Sequence, residues 1–530
     1  MHRNQSVNAH QFSMVPRSDV PRSSIRIESA HKTTFDAGYL IPVYLEEVLP
    51  GDTFNLKATF FARLATPIVP IIDNLYLESF FFFVPNRLIW DNWQKFCGER
   101  TTPNASIDYQ IPEMTSPAGG YAAKTLADHF GLPTIGQVQS GLTFKHSALP
   151  FRAYALIYNE WFRDQNIQDP YGVSTADGPD TTTSTFKARR GKRHDYFTSC
   201  LPWTQKGEPV SLPLGATAPV VGASGASPTF TFGTTQNTRL MSKSADDDIK
   251  TELNTPSNAY LTWGDTTALY ADLSEATAAT INQIRQAFQI QKLLERDARG
   301  GTRYIELLKS HFGVNSPDAR LQRPEYLGGG MSPVTIHPVA QTNQTDATGT
   351  PQGNLAAFGQ TVAHNHGFTQ AFVEHGYVIG MVSVRADLTY QQGLRRHWSR
   401  KTRYDFYWPV FAMLGEQAVL SKEIFCDGSA GDEDVFGYQE RWAEYRYKPS
   451  EITGLLRSTD PLTLDVWHLA QHFTTRPTLS DQFIRDQPPV DRIVATTEQT
   501  GQQFVLDAFF RNKAARPLPM YSVPGLVDHF

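Results

Sequence analysis

The stretch FNLKATF, residues 54–60, alternates apolar and polar side chains without a slip. Successive side chains of a strand point to opposite faces, so the pattern predicts one face in a core and the other outside it. Just beyond lies IIDNLYLESFFFFV, residues 71–84, whose second half is apolar on both faces. That reads as a strand covered twice, with one face on a barrel core and the other against a helix or a subunit. GYVIGMVSVR, residues 376–385, reads as another buried strand, and residues 406–414 as a further one interrupted by Pro409. These runs predict a mainly β fold.

Helices are fewer. Ser147 can cap a helix with Pro150 in its first turn, bringing Ala153, Leu156, Ile157, Glu160 and Trp161 to one face. A second is expected from Ser274 to Arg299, stopped by Gly300–Gly301, and a shorter one from Thr302 to Phe312, ended by Gly313. Trp90, Trp93, Phe96 and Cys97 suggest one more turn.

The chain has 530 residues, with 33 Phe, 21 Tyr, 37 Gly and 34 Pro. Abundant rings and turn formers suit short strands joined by long loops better than a helical bundle. Residues 1–35 read as an N-terminal arm, with Arg3, Arg17, Arg22, Arg26 and Lys32 against Asp19 and Glu28. Residues 36–530 then form the β domain. Within it, residues 205–272 are rich in Gly, Ala, Ser and Thr and read as a long surface insertion; residues 339–358 read as a shorter one. Gly328–Gly329–Gly330 is expected to be a flexible turn.

The net charge of −5 excludes a chain that neutralises nucleic acid by bulk charge; any such contact must be local. The N-terminus lacks the apolar core of a signal peptide, and the longest apolar run is far too short for a bilayer, so no membrane insertion is expected. Cys97, Cys200 and Cys426 form no metal spacing and read as small buried thiols.

Candidate chemistry is sparse. His364 and His366, with Glu374 beyond, resemble the two-histidine strand of a cupin-like metalloenzyme, but the carboxylate comes too late and the motif reads as a loop. His468 and His472 lack the glutamate that a zinc protease needs after the first histidine. No cofactor is implied. Two clusters interleave cations with rings, as single-stranded nucleic acid requires, since cations meet phosphates and rings stack on bases. One holds Lys187, Arg189, Arg190, Lys192 and Arg193; the other holds Arg395, Arg396, Trp398, Arg400, Lys401 and Arg403. Both could instead be solvated or ion-paired, and Glu433, Glu440, Glu444 and Glu451 supply acids for that alternative.

Long blocks in order add more than any motif. They include FDAGYLIPVYLEEVLPGDTF (35–54), FFARLATPIVPIIDNLYLESFFFFVPNRLIWDNWQKFCGE (60–99), ALPFRAYALIYNEWFRDQN (148–166), HGFTQAFVEHGYVIGMVSVRADLTYQQGL (366–394) and GYQERWAEYRYKPSEITGLLRS (437–458). The chain resembles the major capsid proteins of the gokushovirus branch of the Microviridae. The resemblance implies an eight-stranded antiparallel jelly roll of the viral capsid type, with long loop insertions and a few helices. It implies a homo-60-mer in a T=1 shell with two-, three- and five-fold contacts around a circular single-stranded DNA genome, and no enzyme activity. The arm would lie on the capsid interior, and residues 205–272 would form a three-fold protrusion that meets a host-surface receptor. Implied partners are an internal scaffolding protein, a DNA pilot protein and a small basic DNA-packaging protein. The implied location is the virion, assembled in the host cytoplasm.

Overall fold

The computed structural model describes residues 21–181, 187–208, 210, 281–301, 303–314, 322–343, 349, 352–495 and 502–521, and the backbone of short strands between 220 and 271. The chain divides into two compact units, residues 1–204 with 302–530, and residues 205–301.

The first unit is built on eight strands: β1 Ser23–Phe35, β2 Ile41–Val48, β3 Thr53–Leu64, β4 Leu75–Pro85, β5 Glu325–Ala340, β6 Leu355–Ala371, β7 Gly376–Ala386 and β8 Phe504–Arg516. Their order is β1-β8-β3-β6-β5-β4-β7-β2, and all pairings are antiparallel. The long strand β5 changes partner. Residues from Glu325 to Val334 pair with β4, and Thr335 to Ala340 pair with β6. It thereby joins two half-sheets, β1-β8-β3-β6 and β5-β4-β7-β2. Every connection except β4 to β5 carries the chain from one half to the other. This is the wrapping of an eight-stranded jelly roll.

Strand β3 bears out its alternation. Phe54, Leu56, Ala58, Phe60, Ala62 and Leu64 are buried, while Asn55, Lys57, Phe61 and Arg63 are exposed. These inward residues meet Leu506 and Phe510 of β8, Leu77 and Phe81 of β4, and Val382 and Val384 of β7 in one core. Strand β4 is buried on both faces, as its apolar run predicts. Its Phe82 and Val84, with Ile379 and Met381 of β7, form a second core beneath helix α1, Leu149–Ile157. The middle of the second half-sheet, β4 and β7, is therefore roofed by apolar side chains.

Helix α1 has Pro150 in its first turn as expected, but Ala148 takes the cap position, and Ser147, one residue earlier, accepts from the Leu149 amide through Oγ at 3.2 Å. Ala153 and Ile157 of the expected face are buried, together with Phe151 and Tyr154, but Leu156 and Glu160 are half-buried and Trp161 stays 38% exposed, because the chain widens into a π-helical turn over Tyr158–Phe162. A wider turn rotates later residues off the 3.6-residue face.

Four further expectations are corrected. Residues 23–35 were expected in the arm; instead they form β1, paired along its whole length with β8. Gly328–Gly330 is not a turn but part of β5, where a Cβ on Gly329 would stand 2.0 Å from the Ser79 carbonyl oxygen. Residues 406–414 hold a 3₁₀ turn at Pro409–Phe411 and no strand, since Pro409 supplies no amide to a ladder. Cys200 is buried, but Cys97 and Cys426 are exposed.

The second unit holds short antiparallel pairings: Val220–Gly222 with Leu269–Ala271, Phe230–Phe232 with both Thr235–Asn237 and Leu261–Trp263, and Ser242–Lys243 with Ile249–Lys250. Helix α2, Ile281–Gly300, closes it, and the expected start from Ser274 lies outside the described residues. In the first unit, helix α3, Tyr304–Phe312, ends as expected at Gly313, with φ +70°. Among the described residues, no helix is long and apolar enough to cross a membrane.

Candidate functional site

The first basic cluster lies on the strap that follows residue 186, and its cations are held by partners far away in sequence. Arg190 forms a salt bridge to Glu78 of β4 and places its guanidinium 4.9 Å from the Phe80 ring. Arg385 of β7 meets the same carboxylate at 2.5 Å, and Arg193 approaches it at 3.8 Å while also pairing with Asp387 at 3.0 Å. One buried carboxylate thus balances parts of three guanidiniums. Lys187 and Arg189 share one aromatic partner, Tyr39, at 4.2 and 4.0 Å from its ring centroid. Arg189 also donates to the Tyr39 hydroxyl at 3.1 Å.

Lys192 is the most buried of the five. It sits 4.3 Å from the Phe483 ring centroid and donates to Gln471 at 3.3 Å. Burial lowers its pKa to about 8. Burial likewise raises Asp486 to about 7, a shift that Lys192 and Arg190 oppose. Arg189 and Lys192 also line a cleft of about 940 Å³ with Arg476, Arg485 and Arg492.

The second cluster divides in two. Arg395 pairs with Glu451 at 2.8 Å, Arg396 with Glu423 at 3.0 Å, and Arg400 with Glu444 at 3.3 Å. Arg400 is also stacked on Tyr445 at 4.6 Å. The Tyr196 hydroxyl donates to Glu423, whose pKa is raised by burial against the pull of Arg396. These arginines line a cleft of about 480 Å³. Trp398, Lys401 and Arg403 are exposed, and Trp398 is 72% so. Two of the four expected acids, Glu444 and Glu451, pair with this cluster. Glu433 pairs with Lys422 at 2.6 Å and Glu440 with Arg446.

The histidine pair is not a loop but lies in β6, and it does not converge. The register of β6 slips between Ala363 and His366, where Asn365 adopts φ +60°. This bulge leaves His364 exposed and buries His366, which contacts Ser79 Oγ at 2.8 Å and Ser332 Oγ at 3.2 Å. Glu374 is paired with Arg87. His468 is buried and bonded to the Leu456 carbonyl at 2.6 Å. No group of three or more metal-ligating side chains occurs among the described residues.

Sequence reasoning missed Glu78, Tyr39 and Arg385, the residues that organise the first cluster. Glu78 and Tyr39 lie 112 and 150 positions from their cluster partners, and Arg385 sits on the strand beside Glu78, so no spacing rule reaches them. It also missed the exposed face of β1, β8, β3 and β6: FVLDAFFRNK alternates in burial as cleanly as FNLKATF, but its apolar Val505 and Phe509 face outward and blur the pattern in sequence.

The family model described as "Capsid protein (F protein)" matches residues 13–526. Capsid protein VP1 of Bdellovibrio phage phiMH2K is 46% identical, with 99% of each chain covered. Capsid protein VP1 of Chlamydia phage 1 is 43% identical and that of Spiroplasma virus 4 is 38% identical, each with 98% of both chains covered. The chain is thus a structural shell component rather than an enzyme, and it belongs to the capsid protein (F protein) family, in the gokushovirus branch of the Microviridae.

Proposed function

We propose that sixty copies of this capsid protein close a T=1 icosahedral shell around a circular single-stranded DNA genome. One observation supports this most: large apolar side chains crowd the surface between residues 398 and 414. Trp408 is 51% exposed, Val410 83%, Met413 95% and Leu414 54%. A monomer rarely leaves such a patch in water, whereas a shell buries it between copies. Closure also requires different patches of one chain to meet different neighbours, which long loops can supply.

In this reading the genome meets Trp398, Lys401 and Arg403, the exposed members of the two basic clusters. The other cluster cations stay engaged within the chain. A net charge of −5 leaves bulk neutralisation to a small basic DNA-packaging protein, with internal scaffolding and DNA pilot proteins as the other partners. Residues 205–272 form the three-fold protrusion that meets the host receptor, and the residues before β1 line the interior. Assembly takes place in the host cytoplasm.

Electron microscopy of purified particles tests the shell. Uniform icosahedral particles near 3.6 MDa, sixty times 59.4 kDa, are expected. Subunits that stay monomeric with scaffolding protein present would overturn the reading. Deleting residues 205–272 should leave assembly intact and reduce adsorption to host cells.

A further inference from the structure

The two half-sheets are finished differently. The outer faces of the central strands β4 and β7 are roofed by the second core, whereas the outer face of β1-β8-β3-β6 is exposed. On that exposed face stand six cations, Arg26, Lys32, Lys57, Arg63, Arg511 and Lys513. Only two carboxylates share it, Glu28 and Asp507, engaged at 3.9 Å by Arg511 and at 3.6 Å by Lys32. The face is thus strongly positive on a chain whose total charge is −5.

Exposed rings are interleaved with these charges. Phe61, Phe358 and Phe509 are 38%, 44% and 36% exposed. The Arg63 guanidinium lies 5.8 Å from the Phe61 ring, and that of Arg511 lies 5.3 Å from Phe509. The strand register adds a second point. Lys57 stands directly opposite Arg511, and Arg26 opposite Lys513. Like charges directly opposed across a ladder destabilise it, so the arrangement is not explained by stability. Nor does the face suit a two-fold copy of itself, since an isologous contact would set the same cations against each other.

We infer that this bare sheet face is a binding platform for single-stranded nucleic acid, with phosphates on the lysines and arginines and bases on the phenylalanine rings. A flat sheet bearing rings and cations is a general solution for unpaired bases, because every base has a face to stack and every nucleotide a phosphate. The inference rests on the proposal that the shell encloses single-stranded DNA. It adds to Trp398, Lys401 and Arg403 a second, larger contact outside both basic clusters.

Ultraviolet crosslinking of intact particles, followed by mass spectrometry, reads the contact directly. Nucleotide adducts are expected on peptides spanning residues 53–63 and 505–513. Particles that hold single-stranded DNA but carry adducts only elsewhere would overturn the platform and spare the shell proposal. Particles without nucleic acid would overturn the enclosed-genome reading, and the platform with it. A second measurement uses the full-length subunit, an oligothymidylate and the triple variant Lys57→Gln, Arg63→Gln, Lys513→Gln. All three side chains are exposed, and none is paired with Glu28 or Asp507. Three phosphate contacts contribute a salt slope of about 2, so wild-type affinity should fall about twenty-fold more than the variant's between 50 and 200 mM salt. Equal slopes would overturn the inference. So would a variant that keeps its slope and instead loses binding of an acidic protein.

Discussion

Glu78 is 5% exposed and is shared by Arg190 and Arg385, whose side chains are 14% and 15% exposed, with Arg193 at 3.8 Å. Glu78→Gln keeps the shape and removes the charge, leaving two guanidiniums uncompensated away from bulk water. Breaking a buried pair from one side costs about 3–5 kcal/mol. Arg190→Met is the milder change, because Glu78 keeps Arg385 at 2.5 Å; losing one charged hydrogen bond costs about 1.5–3 kcal/mol. The geometry also sets a sign. In the Glu78→Gln background Arg190 is a liability, so adding Arg190→Met should leave stability unchanged or raise it. The full-length subunit, unfolded in urea and followed by tryptophan fluorescence, gives the midpoints. They should be compared directly, since two compact units need not unfold together. If the two single losses simply add, Arg190 is not held by Glu78 and the account of the first cluster fails.

Adjacent residues of β3 should behave oppositely: Phe60→Ala empties a fully buried site and should cost about 3–5 kcal/mol in urea unfolding, while Phe61→Ala, on the exposed face, should stay within about 0.5 kcal/mol. Comparable losses would mean the strand register is wrong. Gly329→Ala should abolish soluble expression, since its Cβ would meet the Ser79 carbonyl oxygen at 2.0 Å; normal yield of folded protein would refute the close β5–β4 approach. His129, bonded to Thr33 of β1 at 3.1 Å, has its pKa lowered from 6.5 to about 4, first by burial and then by Lys187. The unfolded chain therefore binds this proton more tightly. The contribution is intact above pH 6.5 and lost as pH falls toward 4, at most about 3 kcal/mol. Hydrogen exchange of β1 amides, corrected for intrinsic rate, should quicken over that window and do so less in His129→Gln; identical profiles would refute it.

The sequence was most legible where one side of a strand is dry. FNLKATF and the FFFFV run could be read because burial imposes a period, and β4 shows both of its faces filled. β1 escaped because it is an edge strand, and its inward positions include Ser29, His31 and Thr33, so no apolar period marks it. The Gly328–Gly330 run escaped for the opposite reason. Turn chemistry and close backbone approach both call for glycine, and only the partner strand tells them apart. The histidine pair read as a loop because a bulge breaks the strand period there, leaving His364 exposed and His366 buried within β6. The basic clusters were legible as composition, but not as function, because charge pairing here is set by tertiary neighbours.

The same distinction explains why the positive face of the exposed sheet went unseen. A run such as KARRGKRH announces itself locally, yet its arginines are held by Glu78, Tyr39 and Asp387. The cations of the exposed sheet are spread thinly over β1, β3 and β8, six residues apart in β1 and β3 and two apart in β8, so no segment reads as a basic run. Only the β1-β8-β3 pairing lays them side by side, at the roughly 4.8 Å spacing of neighbouring strands. A clustered motif tends to find its counter-ions within the chain, while charges distributed at strand period are gathered by the sheet onto its solvent face. In a jelly roll with one half-sheet roofed over its middle and the other bare, the bare one is therefore where unpaired cations collect, and the wall it presents is available to a polyanion.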